Sequence, residues 1–226
     1  MTDTGAGSPP WKAPTLMRGK LITFEGPEGS GKSTQLRMLA ARLRSAGHKV
    51  YETIEPGGTP IGTQIRRVLL DQQNREMSAV TELLLMFASR AQNVEQAILP
   101  ALGEGQFVLS DRFTDSSLVY QGIARGLGVD VVYELDRIAC RGLVPDLTLI
   151  IDIDTETGLH RARARNTRRQ DVETRLDEQA LSFHRKVRHA YLELAGNEPR
   201  RVKLIDGSRD ENAVAADVWA AVMTIL

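Results

Sequence analysis

Eight residues near the N-terminus have the types and spacing of a phosphate-binding loop. The segment from Gly26 to Ser33, GPEGSGKS, matches the pattern G-x-x-x-x-G-K-[ST]. Glycines let consecutive backbone N–H groups turn inward around a phosphate, and the helix that follows adds the positive end of its dipole. In this pattern we expect Lys32 to reach the β- and γ-phosphates of a nucleoside triphosphate and Ser33 to bind Mg²⁺. The predicted nucleotide-binding residues are Gly26, Pro27, Glu28, Gly29, Ser30, Gly31, Lys32, Ser33 and Thr34.

A carboxylate and an arginine, Asp111 and Arg112, follow the apolar segment Phe107 to Ser110. If that segment is a parallel strand, the pair lies at its ligand-binding end. Asp111 can then hold Mg²⁺ through water, and the planar donors of Arg112 can grip a phosphate. A surface ion pair is the alternative, but a phosphate-binding loop in the same chain favours the binding role.

Three alternate arginines, Arg161, Arg163 and Arg165, occupy a predicted helix that leads into a polar segment containing Arg175. Arg161 and Arg165 are four residues apart and share one helical face, whereas Arg163 points away. We predict that Arg161, Arg165 and Arg175 belong to a lid, about residues 161–175, that closes over the phosphates. A solvated basic face is the alternative.

Short apolar segments alternate with helical patterns along the chain. The predicted strands are Lys20–Glu25, Lys49–Ile54, Phe107–Ser110, Leu147–Ile153 and Val202–Ile205. This alternation predicts an α/β fold in which helices cover both faces of a parallel sheet. We expect one domain, residues 18–226, preceded by a disordered tail, residues 1–17. Met17 directly precedes the first strand, so translation from either Met1 or Met17 remains open.

The composition narrows the classes of function. The 29 Lys and Arg residues balance 29 Asp and Glu residues, so no overall field favours a nucleic acid or a membrane as partner. The arginine cluster lacks the interleaved aromatics of a nucleic-acid patch, and no apolar run reaches the roughly 18 residues of a membrane span. The single cysteine, Cys140, excludes an intrachain disulfide and indicates a reducing compartment, the cytoplasm. The chain also lacks the N-K-x-D motif of a GTPase.

Three motifs behind the loop, in this order, resemble those of bacterial thymidylate kinases. They are Glu55-Pro56-Gly57-Gly58-Thr59, Asp111-Arg112-Phe113 and Tyr120-Gln121-Gly122. The similarity extends from about Arg18 to the C-terminus. It implies a P-loop nucleoside monophosphate kinase fold with a five-stranded parallel sheet, a homodimer, and transfer of the γ-phosphoryl group of MgATP to dTMP for dTTP biosynthesis. The loop contains no arginine, as in the subgroup that supplies its catalytic arginines from the lid.

The resemblance also implies roles for individual residues. Arg112 matches an arginine that grips the dTMP phosphate, and Arg90 matches a second arginine near the acceptor and its base. Ser117 and Tyr120 match positions beside thymine and deoxyribose, where a bulky tyrosine can reject a 2′-hydroxyl. Gln121 can hydrogen-bond the base. The implied catalytic residues are Lys32, Arg112, Arg161, Arg165 and Arg175.

Glu28 is a carboxylate inside a phosphate-binding loop. It must face a sugar hydroxyl or Mg²⁺-bound water, because phosphates would repel it. The resemblance implies the deoxyribose 3′-hydroxyl.

Two positions depart from the family. Several members have a thymine-stacking aromatic four residues before the position of Arg90, where this chain has Met86 followed by Phe87. Neighbouring helical residues point about 100° apart, so either Met86 forms the floor of the pocket or Phe87 stacks on the base. Ile54 replaces a frequent arginine. A kinase for another nucleotide or for a nucleoside, and a nucleotide-dependent switch or binding module, remain the alternatives.

Overall fold

A five-stranded parallel sheet organises the structure, a computed structural model that describes residues 19–169 and 174–226. The strands are β1 (Lys20–Glu25), β2 (Val50–Ile54), β3 (Phe107–Asp111), β4 (Leu147–Asp152) and β5 (Val202–Asp206). Their spatial order is β2-β3-β1-β4-β5, and all neighbours pair in parallel. The predicted α/β class and parallel sheet are confirmed. The predicted tail, residues 1–17, lies outside the described residues.

Helices connect the strands and cover the sheet. They are α1 (Lys32–Ser45), α2 (Pro60–Leu70), α3 (Ala79–Asn93), α4 (Leu99–Gly103), α5 (Thr114–Ser117), α6 (Val129–Ala139), α7 (Thr155–Arg169), α8 (Leu181–Asn197) and α9 (Glu211–Val222). Two π-helical turns continue their neighbours, Val94–Ile98 after α3 and Leu118–Ala124 after α5. Side-chain caps fix several starts: Thr59 accepts from the N–H of Gly62, and Ser78 accepts from that of Thr81.

The core has one layer on each face of the sheet. Successive side chains of β1 alternate between the faces, so Leu21 packs on one side and Ile22 on the other. Apolar residues of α1 and α9 cover the face of Ile22, and residues of α3, α8 and both π-helical turns cover the face of Leu21. Cys140 is fully buried in the second layer. Because both faces are covered, the three central strands β1, β3 and β4 are mostly apolar and almost fully buried.

The topology places polar groups at one edge of the sheet. β1 lies between β3 and β4, so the chain leaves it at the point where the strand order reverses, which is the usual ligand site of such sheets. β1 and β3 are parallel neighbours, so their carboxyl ends lie side by side. Glu25, the loop after Glu25, and Asp111 are therefore close together. Within residues 19–169 and 174–226, no helix combines the length and apolar character needed to cross a bilayer.

Candidate active site

The glycine loop joins β1 to α1 with the backbone that the pattern predicts. Gly26, Gly29 and Gly31 have φ values of 128°, 69° and 100°, and Gly31 is the N-terminal cap of α1. A Cβ atom at Gly29 would lie 2.0 Å from the carbonyl oxygen of Gly158 in α7. Only glycine therefore fits where the loop meets α7 backbone to backbone. The loop therefore supports the start of α7, in addition to its predicted role in phosphate binding.

Lys32 is buried at the base of the loop. Its Nζ donates hydrogen bonds to the carbonyl oxygens of Gly26, at 3.1 Å, and Pro27, at 2.8 Å. Burial, together with the neighbouring Arg112 cation, lowers the pKa of Lys32 to about 8 despite the nearby carboxylates. A bound phosphate would favour the charged form again. Lys32 is thus held in place by weak acceptors that an anion can replace.

The predicted magnesium ligands meet across two elements. The Ser33 hydroxyl, in the first turn of α1, donates a hydrogen bond to the carboxylate of Asp111 at the end of β3. Hydroxyl and carboxylate oxygens are ligands that Mg²⁺ prefers, so these two residues fit the ion. Ser33 and Asp111 line a cavity at this end of the sheet, and Thr34 lines it as well. Among the described residues of the loop, Gly26, Pro27 and Ser30 do not line it. Ser30 is buried, and its hydroxyl has no hydrogen-bond partner among the described residues.

Glu28 and Arg112 form an ion pair on the floor of the cavity. Arg112 Nη2 lies 2.6 Å from Glu28 Oε1, which also accepts a hydrogen bond from the Tyr120 hydroxyl at 2.9 Å. Burial alone would raise the pKa of Glu28, but Arg112, Lys32 and Tyr120 lower it to about 2. The carboxylate is therefore ionised, and no described residue donates to its Oε2.

Arg112 is held in position from several sides. Its Nη1 donates to the Ser116 hydroxyl at 3.1 Å and to the Tyr191 hydroxyl at 3.4 Å. Its backbone adopts a φ of 73°, which is uncommon for a residue with a side chain. The guanidinium group is preorganised at the cavity wall.

A second buried carboxylate, Glu25, supports this arrangement from behind. It accepts hydrogen bonds from the Ser116 and Tyr191 hydroxyls, the two groups that also contact Arg112. Burial and the nearby Asp115 raise the pKa of Glu25 to about 7, against the opposing influence of Arg112. No sequence pattern marks Glu25 as a site residue, because it stands at the end of β1 and fits the pattern of that strand.

The raised pKa of Glu25 predicts a pH dependence of stability. Glu25 ionises near 4.5 when unfolded and near 7 when folded, so between these values the folded state binds more protons. The free energy of unfolding should then fall as the pH rises from 4.5 to 7, by up to about 1.4 kcal/mol per pH unit. Glu25→Gln should flatten this slope in urea titrations followed by circular dichroism, and Glu104→Gln, at an exposed carboxylate, should not. Equal slopes for Glu25→Gln and the unmodified protein would contradict the assignment.

The pocket beyond Arg112 is formed by α3 and the π-helical turn Leu118–Ala124. Arg90 donates to Glu55 at 2.6 Å, to the Ser117 hydroxyl at 3.0 Å and to the Phe113 carbonyl at 2.9 Å. Its side chain is only 2% exposed, so it braces the pocket wall. Residues of this wall that line the cavity are Met86, Arg90, Ser117, Tyr120 and Gln121.

The two candidates for the pocket floor, Met86 and Phe87, have different surroundings. Met86 lines the cavity, whereas Phe87 packs in the core and its ring lies 4.6 Å from the Arg90 guanidinium. This position favours Met86 over Phe87 as the residue that contacts the base. Helical geometry is the reason: the face of α3 that carries Glu82, Met86 and Arg90 points to the cavity, and Phe87 is turned about 100° from it.

The arginine-rich helix brings to the cavity the two side chains that were predicted to face it. Arg161 and Arg165 line the cavity beside the loop, and Arg163 does not. Arg165 contacts Asn166 and lies 3.5 Å from Asp177. Arg161 has no hydrogen bond to a described residue. Both guanidinium groups are near the cavity with few competing partners.

Arg175, the third arginine predicted to belong to the lid, lies away from the cavity. Its side chain is 3% exposed and donates to the Leu69 carbonyl at 2.5 Å and to Glu82 at 2.7 Å. Arg175 therefore fastens the segment before α8 to α2 and α3, and it does not line the cavity. The sequence showed its polar surroundings but not the buried acceptors that bind it.

The cavity has a volume of about 420 Å³ and includes residues that the motifs did not identify. Arg37, Arg66, Asn166 and Asp177 also line it. Burial and the nearby Glu28 raise the pKa of Asp177 to about 6. Arg37 lies four residues after Ser33 on α1, a spacing that could have indicated it. No local signal indicates Arg66 or Asp177.

Comparisons with known proteins agree with this geometry. Residues 24–218 match the family model of thymidylate kinase. The chain is 50% identical over 201 residues to a thymidylate kinase of Geobacter sulfurreducens, covering 88% of this chain and 94% of the relative. It is 47% identical over 207 residues to that of Deinococcus radiodurans, covering 92% and 98%. A crystal structure of thymidylate kinase from Ehrlichia chaffeensis superimposes with a TM-score of 0.73 at 29% identity, over 91% of this chain and 98% of that one.

Proposed function

The chain belongs to the thymidylate kinase family, and on that premise we propose that it transfers the γ-phosphoryl group of MgATP to dTMP, giving dTDP and ADP in dTTP biosynthesis. One observation carries the proposal. A single cavity is lined by the phosphate-binding loop, by Arg112 and by Arg161 and Arg165 of α7. Residues of α3 and of the π-helical turn after α5 line another part of the same cavity. Groups suited to the donor phosphates and groups suited to an acceptor nucleotide thus lie side by side in one cavity.

The reaction needs no general base. A phosphate monoester has a second pKa near 6, so the acceptor is largely a dianion at pH 7. One of its oxygens forms a bond to the γ-phosphorus as the bond from that phosphorus to the β–γ bridging oxygen breaks. The difficulty is to bring two anions together in line, which calls for positioning and charge neutralisation.

The cations of the cavity meet this need. We assign Lys32, Arg161 and Arg165 to the donor phosphates and the transition state, and Arg112 to the acceptor phosphate. Ser33 and Asp111 would hold Mg²⁺. When bound, that ion neutralises charge on the β- and γ-phosphates.

The acceptor pocket suits a deoxynucleotide. Met86, Ser117 and Gln121 would contact the base, with Arg90 bracing the wall behind them. The Tyr120 hydroxyl is hydrogen-bonded to Glu28 and Arg112, which holds the ring in place. We assign to this ring the exclusion of a 2′-hydroxyl. The unused Oε2 of Glu28 can accept from the 3′-hydroxyl.

We further propose a homodimer in the cytoplasm. Large apolar side chains are exposed on α2, α3 and α6, namely Ile61, Val80, Leu84, Tyr133 and Ile138. Val80 and Leu84 are four residues apart and share a face of α3. A second copy of the chain would cover such a surface. The single cysteine, Cys140, suits a reducing compartment.

The lid assignment predicts a large effect of one substitution. Arg165→Ala should lower kcat by about 10²-fold, because a guanidinium that stabilises transition-state charge supplies about 3 kcal/mol. The melting temperature should hardly change, since Arg165 is 43% exposed and its ion pair is weak. Arg163→Ala, on the same helix but outside the cavity lining, is the matched control. Equal kcat values for the two variants would refute the assignment.

The proposed function is tested by assaying ATP consumption with each nucleoside monophosphate and with thymidine. We expect saturable turnover with dTMP well above the other acceptors. A preference for another monophosphate or for the nucleoside would identify a different kinase. Slow turnover that ignores the acceptor would identify a switch or binding module.

A further inference from the structure

A buried carboxylate on α3, Glu82, lies behind the base pocket. It is 1% exposed and has no place in the mechanism above. Its Oε1 accepts a hydrogen bond from Gln121 Nε2 at 2.9 Å. Its Oε2 accepts from Arg175 Nη2 at 2.7 Å and from Arg125 Nη2 at 3.2 Å. Glu82 therefore joins the pocket wall to the segment that precedes α8.

The two arginines keep Glu82 ionised. Burial alone would raise its pKa, but hydrogen bonds and charges from Gln121, Arg125 and Arg175 outweigh burial and lower it. Each arginine is fixed on its far side as well. Arg125 Nη1 donates to Gln179 at 3.0 Å, and Arg175 Nε donates to the Leu69 carbonyl.

An ionised carboxylate fixes the orientation of the amide that faces it. A carboxylate can only accept hydrogen bonds, so the group of Gln121 that contacts Glu82 must be its NH₂. The reversed orientation would set two oxygen acceptors against each other in a buried site. The orientation of this amide thus follows from the chemistry of its partner.

The other end of the Gln121 amide is left for the cavity. Gln121 lines the cavity between Tyr120 and Met86. Among the described residues none donates a hydrogen bond to its Oε1. The pocket wall consequently presents a fixed acceptor to an incoming base.

We infer that Glu82 is a positioning residue for base selection, which holds Gln121 so that its oxygen accepts the N3–H of thymine. This inference rests on the proposed function. Cytosine carries a bare ring nitrogen at the same position, which would face the Gln121 oxygen as acceptor against acceptor. Sites built to receive one hydrogen bond reject analogues that lack it strongly, because a buried group is left unpaired. Uracil has the same N3–H, so this contact separates thymine from cytosine and does not read the 5-methyl group.

The experiment measures kcat/KM for dTMP and for dCMP in the unmodified protein and in Glu82→Gln. The substituted amide can offer Gln121 either an oxygen or an NH₂, so both orientations of Gln121 become compatible with the wall. We expect the dTMP-to-dCMP ratio to fall at least about tenfold. The fall should come from a higher KM for dTMP, with kcat changed less.

Arg125→Met is the matched control. It removes another partner of Glu82 but leaves the contact with Gln121, so it should lower the melting temperature and preserve the ratio. A folded Glu82→Gln variant with the ratio of the unmodified protein would overturn the inference. An equal fall in both variants would also overturn it, because it would indicate a merely structural role.

A measurement on the unmodified protein does not depend on the folding of Glu82→Gln. In ¹⁵N spectra, the Gln121 side-chain NH₂, assigned by its loss in Gln121→Leu, should be protected from exchange with water before and after dTMP binds. Rapid exchange in both states would overturn the inference. Absence of dTMP turnover in the unmodified protein would instead count against the proposed function.

Discussion

Replacing Lys32 with alanine is expected to lower kcat for dTMP phosphorylation by about 10²-fold or more, a loss of roughly 3 kcal/mol of transition-state stabilisation. Lys32 is the one residue of the loop that combines a positive charge with a position between the Gly26 and Pro27 carbonyls. It is buried, so its charge acts in a medium that screens it less than water does. No other cation of the cavity comes from the loop itself.

The Lys32→Ala protein should remain folded. The substitution removes two hydrogen bonds to carbonyl oxygens, each worth about 1 kcal/mol, and it also ends the burial of a charged group. Steady-state kinetics and thermal denaturation together separate the two effects. Lys20→Ala, which removes an exposed lysine paired with Asp146, is the matched control. A kcat of Lys32→Ala near that of Lys20→Ala would contradict the phosphate-binding role of Lys32, on which the mechanism depends.

Replacing Arg112 with methionine is expected to affect both stability and acceptor binding. Glu28 would keep its burial and lose its ion-pair partner, which costs about 3 kcal/mol in the free energy of unfolding. The acceptor phosphate would lose a two-pronged cation. The value of kcat/KM for dTMP should therefore fall by about 10²- to 10³-fold.

A double variant separates these two losses. Adding Glu28→Gln to Arg112→Met removes the unpaired buried charge, so it should recover much of the stability without restoring activity. Arg188→Met is the control, because Arg188 also pairs with a carboxylate, that of Asp152, but lies outside the cavity lining. Recovery of dTMP turnover in the double variant would show that Arg112 serves only to neutralise Glu28.

Local patterns predicted the features that depend on neighbouring residues in sequence. The glycine loop, the five strands and the pair Asp111–Arg112 each follow from a short segment whose backbone and side chains act together. Local patterns did not predict which of Met86 and Phe87 faces the cavity. Neighbouring helical residues point about 100° apart, and this angle selects one of them only when the orientation of α3 is known.

Buried polar partners were beyond the reach of such patterns. Arg175 lies in a polar, arginine-containing segment that resembles a lid, yet its side chain binds Glu82, which lies 93 positions earlier in the chain. Glu25 looks like the end of a strand and Asp177 like a surface residue. Their raised pKa values arise from burial and from carboxylates that the fold brings close. These interactions depend on long-range packing, which a single sequence does not display.

The close backbone contact between Gly29 and Gly158 fixes the start of α7, so the helix can tilt only about this point. With a rise of about 1.5 Å per residue, Arg161 lies about 4.5 Å beyond this contact along the helix and Arg165 about 10.5 Å beyond it. Any tilt of α7 about the contact therefore carries Arg165 more than twice as far as Arg161. A tilt of α7 therefore changes mainly the position of Arg165, whereas Arg161 stays near the loop.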